Sequence, residues 1–434
     1  MFQTIVNAFK IKEVRRKILI TIALLFVYRL GCHIPVPGID VNGLGLDNMD
    51  FLQLMSAVSG GALQQATFLA MGIGPYINAS IIIQLLTVGI PALERLSKQG
   101  EEGRRKINAY TRILTLILAI AQAVGILLVF GGGEQPLVHP EMLFGAEGFA
   151  KVMSYVVLVI IYTAGAAFTM WLGERITDYG VSNGISLLIF AGILSTAGTA
   201  ILGVIKGLFV AETLASSAWT LFGFVIATIV IFGAIVCVHE AERKIPVQYA
   251  KQVKGRKMYG GQSTHIPIKV NATGVMPLIF SFSILSMPDL IINLVGGSSD
   301  NWWTNYMGMG SWLYAVVLCV FILFFSYFYN QIQFNPDDIS KSIQGNGGFI
   351  PGTRPGKPTA DYLKRVSNRI TLFGAIYLAI LALVPSLIFK AIGGQGLMNV
   401  FSATGLLIIV SVALEFDQAL QSQIMMKNYK GFLK

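Results

Sequence analysis

Long apolar runs, broken by short stretches rich in charged residues, Gly and Pro, recur from one end of the chain to the other. Ten have interiors free of Asp, Glu, Lys, Arg and His: 18–28, 75–92, 113–130, 152–172, 185–204, 217–238, 274–288, 311–329, 371–389 and 401–414. A helix needs about 20 largely apolar residues to cross a hydrocarbon layer, and these runs predict ten membrane helices. The first run is the shortest. It ends in Arg29-Leu30-Gly31-Cys32, the outline of a lipoprotein cleavage site, but Arg29 stands where such a site takes an apolar residue, and nine runs follow. It reads as an uncleaved first helix.

Three stretches depart from this pattern. Residues 33–71 contain no Lys or Arg and hold a half-length apolar piece, 51–70, interrupted by Gly60 and Gly61. Non-helical backbone is tolerated at membrane depth only where protein buries it or where it lines a watery cavity. The piece is either a segment folded into a cavity or an ordinary external loop, and composition leaves both open. In 240–273, Ile245, Val247 and Tyr249, then Ile266, Ile268 and Val270, fall at period two. That predicts a pair of strands from which the basic tip Lys254-Gly255-Arg256-Lys257 projects. The stretch 331–369 is longer, rich in Gly and Pro, and carries Arg354 and Lys357. Structured loops of this length between membrane helices have a task, and exposed Arg suits phosphate or carboxylate docking.

Composition narrows the class. The 434 residues are 54% hydrophobic and 12% charged, about half the charge that a soluble surface carries. Cys32, Cys237 and Cys319 are odd in number and lie in or beside apolar stretches, which suits small core residues rather than a disulfide framework. Charge adds orientation. Of the 32 Lys and Arg, 28 fall before the first run, after the last, or in alternate loops, leaving Arg29, Lys151, Lys206 and Lys390 on the other side. Basic loops stay in the cytoplasm, so both termini are expected there. A positive inner face would also attract anionic lipid or phosphate-rich partners.

Several chemistries find no foothold. None of the runs carries the ionisable group that an ion-coupled carrier places at the membrane midplane; Glu415 and Asp417 fall at the end of the last run. His33, His139, His239 and His265 lie in loops without metal-ligand spacing, and no nucleophile stands beside an evident base. The stretch 352–359, Gly-Thr-Arg-Pro-Gly-Lys-Pro-Thr, has the outline of a phosphate-binding loop. It fails because Pro351 stands where the first Gly belongs and Pro358 where the magnesium-holding hydroxyl belongs. No cofactor and no enzymatic activity are expected.

Motifs then point to a family. Ile34-Pro35-Val36-Pro37-Gly38, Ser59-Gly60-Gly61-Ala62-Leu63 and the run from Pro75-Tyr76-Ile77-Asn78-Ala79-Ser80 to Gln84-Leu85-Leu86 are followed by Gly103-Arg104-Arg105-Lys106 and Asn183-Gly184-Ile185-Ser186. Gln262-Ser263-Thr264-His265 and Gly352-Thr353-Arg354-Pro355-Gly356 complete the order. Together they resemble the SecY family, the central subunits of the bacterial protein-conducting channel, from the first run to the last. The resemblance implies an all-α polytopic membrane fold, with two inverted five-helix halves, 18–206 and 207–422, around an hourglass pore. Segments 1–17 and 423–434 would be cytoplasmic ends, and 240–273 and 331–370 cytoplasmic loops, the first a small β-hairpin.

The resemblance also implies roles. Ile73, Ile77, Ile185, Ile189, Ile279 and Ile408 match the aliphatic ring at the pore waist; the first two pairs have the i, i+4 spacing that faces one way on a helix. The stretch 52–65, with Leu52, Ser59, Gly60, Gly61 and Gln65, matches a re-entrant plug. The second and seventh runs match a lateral gate, where Gln84 and Thr87 would face Ser281 and Ser283, with Gln122 nearby. Arg256, Lys257, Arg354 and Lys357 match the docking surface for the ribosome and the SecA motor ATPase. SecE and SecG subunits, signal-sequence-bearing polypeptides and the bacterial inner membrane complete the expectation. A small-molecule secondary transporter is the alternative class, and an intramembrane enzyme a third; the first calls for a midplane charge and the second for a Ser-His pair or paired aspartates within the runs.

Overall fold

The computed structural model describes residues 2–40, 56, 59–131, 138–145, 147–207, 214–249, 252–254, 257–259, 263–294, 302–307, 311–392 and 403–431. The chain passes through α1 (Phe2–Lys10), α2 (Lys12–Gly31), α3 (Gly74–Gly89), α4 (Pro91–Ser97), α5 (Glu101–Gly131), α6 (Gly148–Tyr179), α7 (Gly184–Gly207) and α8 (Leu214–Glu240). Strands β1 (Glu242–Tyr249), β2 (Gln252–Lys254), β3 (Lys257–Tyr259) and β4 (Ser263–Lys269) follow. Then come α9 (Met276–Leu294), α10 (Trp302–Met307), α11 (Trp312–Gln333), α12 (Pro336–Gly345), β5 (Gly348–Phe349), α13 (Lys357–Ile392) and α14 (Ala403–Gly431).

Each of the ten apolar runs has a helix of its own, with one correction. The second run does not stay straight to residue 92: α3 ends at Gly89 and α4 leaves at 106° to it. Pro91 opens α4, and Ile90 before it is extended, at φ −110 and ψ 113, because a proline ring disfavours helical backbone in the residue that precedes it. Among the described residues, five helices are long and apolar enough to cross a membrane, within α5, α6, α11, α13 and α14, or six with the bent pair; α7, α8 and α9 hold shorter apolar segments.

The helices pack as two groups, α2, α3, α5, α6 and α7, then α8, α9, α11, α13 and α14. They meet where α5 touches α9, where α14 touches α2 and α7, where α7 touches α8, and where α3 packs on α9 and α11. The outward faces are apolar: Ile113, Ile117, Ile120, Val124 and Leu128 of α5 are exposed, as are Val316, Val320 and Phe324 of α11. A surface of that kind is stable against lipid, where helices satisfy their own backbone, and not against water.

The two polar stretches fold together. β1 pairs antiparallel with β4, setting Ile245 against Ile266 and Val247 against Thr264. Its alternation holds, with Ile245 and Val247 buried; Val270 lies one residue past β4. The far edge of β1 takes β5, Gln248 opposite Phe349. Under this three-stranded sheet, Ile245, Val247 and Ile268 share one core with Ile343 of α12, Ile350, and Leu363 and Val366 of α13. Two loops that read as separate are one folded unit.

Candidate functional site

The six expected ring isoleucines come together. Ile73 caps α3 and Pro75 sits in its first turn; the amide of Ile77 donates to the carbonyl of Ile73 at 3.0 Å, so both side chains stack one turn apart. Asn183 caps α7, its Oδ1 accepting from the amide of Ile185 at 3.1 Å, which starts the turn carrying Ile185 and Ile189. Gly184 is required there, since an added Cβ would stand 2.0 Å from the carbonyl oxygen of Gly173. α9 supplies Ile279 and α14 Ile408. Ile73, Ile189 and Ile408 are buried in one cluster, with Ile77, Ile185 and Ile279 packed against it. The cluster draws on both helix groups and on Ala62 and Leu69 of the inserted segment.

The described residues of that segment pack among the helices, with Ala62, Leu63, Ala66, Leu69 and Ala70 buried. Phe68 donates its amide to Ile34 and Val36 donates to Ala66, so the Ile34-Pro35-Val36 exit from α2 pairs with it. The carbonyl of Phe68 packs so close to α6 that a Cβ on Gly165 would stand 1.8 Å from its oxygen. Gly60 and Gly61 turn the chain with φ of +72 and +81, a conformation that costs glycine nothing. At Gly60, a Cβ would stand 2.9 Å from Cα of Gly192 in α7. Ser59 is buried, and Gln65 is exposed with its Oε1 3.1 Å from Nδ1 of His33. Leu52 lies outside the described residues.

Sequence reasoning missed the residues that hold this turn. Arg29 Nη1 donates to the carbonyl oxygen of Gly60 at 2.8 Å, and Tyr28 Oη and Cys32 Sγ both donate to that of Ser59, at 3.3 and 3.8 Å. A hydrogen bond to a charged group nets about 1.5–3 kcal/mol. The available signal was the count of basic residues, in which Arg29 is one of four exceptions.

Of the polar residues expected along the second and seventh runs, Ser281 and Thr87 bond within their own helices. Ser281 Oγ donates to the carbonyl of Pro277 at 2.7 Å, and Thr87 Oγ1 to that of Gln84 at 2.7 Å. A short hydroxyl on a helix reaches the backbone three or four residues back more easily than a neighbouring helix. Gln122 of α5 is buried, and Ser283 lies in α9 between Ser281 and the buried Leu285. A bond does cross to α3 from α11, with Tyr329 Oη donating to Gln84 Oε1. The ring of Phe280 on α9 stacks on Tyr329 at 4.9 Å and meets Phe325 at 5.5 Å. These aromatics share a cluster with Ile81 of α3, so the seam is largely apolar and involves three helices. Phe321, Phe325 and Tyr329 have i, i+4 spacing, a stripe visible in the sequence.

On the folded polar unit, Arg354 and Lys357 are exposed on a braced turn. The carbonyl of Arg354 accepts from Thr359 Oγ1 at 2.8 Å and that of Gly356 from Ser340 Oγ at 2.6 Å. Lys257 lies in β3, and Arg256 lies outside the described residues.

With this geometry in view, the relatives are informative. The SecY family model matches residues 67–416. A protein translocase subunit SecY from Streptomyces galbus is 42% identical over 445 residues, covering all of both chains. The chain belongs to the SecY family. Its fold is that of solved SecY and Sec61 channels. A SecY structure in which the plug domain stabilises the closed state of the translocation channel and maintains a membrane seal aligns at TM-score 0.65 and 20% identity, covering 94% of this chain and 92% of that one. Sec61 in the canine ribosome–channel complex from the endoplasmic reticulum aligns at TM-score 0.61 and 18% identity, with the same coverage. As a SecY family member with this apolar exterior, the chain is a multi-pass membrane protein.

Proposed function

We propose that this chain is the channel of a protein translocase: unfolded secretory polypeptides pass its waist, and apolar segments leave sideways through a lateral gate. The observation that carries this reading is the meeting of Ile73, Ile77, Ile185, Ile189, Ile279 and Ile408 in one cluster at the junction of the two helix groups. An apolar constriction sheds water and offers a passing chain no hydrogen bonds to hold it, so it seals around varied sequences without binding any of them tightly. The described residues Ser59–Gln65 would be the plug, and the seam of α3 with α9 and α11 the gate. Ten crossings, two inverted halves and cytoplasmic termini in a bacterial inner membrane follow from the same reading.

The folded polar unit would be the docking face. Arg256, Lys257, Arg354 and Lys357 suit ribosomal RNA phosphates or acidic patches on a SecA motor, with SecE and SecG as companion subunits. The canine relative in its ribosome complex supports the first of these. A small-molecule transporter is not favoured, because family and fold are those of protein channels.

Crosslinking tests the waist. With the three native cysteines removed and Ile279→Cys introduced, a stalled secretory precursor carrying one cysteine is expected to form a disulfide only when its signal sequence is intact. Crosslinks at lipid-facing Ile117→Cys or Phe324→Cys but never at position 279 would refute the assignment.

A further inference from the structure

Arg29 does not fit the charge asymmetry, and its surroundings give it a use. It stands in the last turn of α2, half-buried, with Nη1 2.8 Å from the carbonyl oxygen of Gly60. Tyr28 of the same helix and Cys32, its C-cap, reach the adjoining carbonyl of Ser59. Three side chains at the C-terminal end of α2 therefore converge on two consecutive carbonyls of the inserted segment. Gly60 makes this possible: its φ of +72 aims the carbonyl, and a Cβ there would lie 3.1 Å from Nη1.

We propose that Arg29 is the latch of the plug, a positioning residue whose guanidinium holds the Ser59–Gly60 turn against α2 and α7 in the closed channel and releases it for transport. The proposal rests on the reading of this segment as the plug. The choice of partner suits a device that must open. A guanidinium on a carbonyl gains a directed, charge-assisted bond. Separating it from a carboxylate would leave two unpaired charges in a poorly hydrated site, whereas leaving a carbonyl strands only one. The surrounding apolar contacts are non-directional, so they pack the segment without fixing its turn.

The test uses the complex purified with its companion subunits and reconstituted in lipid vesicles, with leak of a small anion as the readout. Arg29→Met keeps the aliphatic stem and loses the charge; the resting leak is expected to rise roughly tenfold, with Arg29→Lys in between. Deletion of residues 59–65 serves as the comparator. If the deletion leaks while Arg29→Met stays as tight as the parent, the latch is wrong and the plug stands. If the deletion is tight as well, the plug reading falls and takes the latch with it. A second measurement asks for rescue: in Arg29→Met, oxidation of Ser59→Cys onto native Cys32 should close the leak, and reduction should reopen it. A leak indifferent to a formed bridge overturns the proposal.

Discussion

Tyr329 shows how much a single hydroxyl can carry at a helix seam. Its ring is fixed from α9 by Phe280, and its Oη is the donor that reaches α3 through Gln84. Hydrogen bonds between membrane helices are worth about 0.6–2 kcal/mol, enough to bias a gate and too little to lock it. Tyr329→Phe keeps the stack and removes the bond. Precursors whose signal core has been shortened are expected to pass the variant several times more readily than the parent, with intact precursors unaffected; equal rejection by both would show that the bond does not set the threshold. What the sequence made visible at this scale were the isoleucines, through the resemblance to the family, with i, i+4 spacing adding only that Ile73 with Ile77 and Ile185 with Ile189 each share a face. The partners of Tyr329 and Arg29 were hidden, since one is reached across 245 residues and the other is a main-chain oxygen with no side-chain signature.

Between residue and molecule, helices were more legible than their ends. All ten apolar runs became helices, because apolar length is a strong signal for a chain with no water to satisfy its backbone. The bend at Ile90 was readable from Pro91, yet an apolar run hides it when only charge is used as a boundary. β1 and β4 followed from period two, but β5 is two residues long and carries no period. The shared core beneath the sheet therefore emerged only in three dimensions, and it governs how the turn carrying Arg354 should fail. Val247 is 1% exposed, and a carboxylate there would be buried without a partner, at a cost of several kcal/mol. In Val247→Asp, hydrogen exchange is expected to rise together in 242–269 and 336–357 while α5 and α6 stay protected. Loosening confined to the first stretch would mean that the unit is not cooperative.

At the scale of the whole molecule, charge and exposure speak to placement. The basic residues that set the expected orientation include Lys10 and Arg354, both exposed, while Lys151 belongs to the minority side. In right-side-out vesicles an impermeant thiol reagent is expected to label Lys151→Cys and to spare Lys10→Cys and Arg354→Cys, with the pattern reversed in inverted vesicles. Labelling of positions 10 and 354 from opposite faces would break the ten-crossing arrangement. The central cluster carries a further meaning. It joins the two helix groups through isoleucine, leucine and valine side chains, whose contacts have no preferred direction. Such a junction would work as a bearing, one group sliding against the other by exchanging one apolar contact for the next. Its friction would be low and nearly independent of how far it has turned. Work done on a passing chain would then go into moving it, with little dissipated in the hinge.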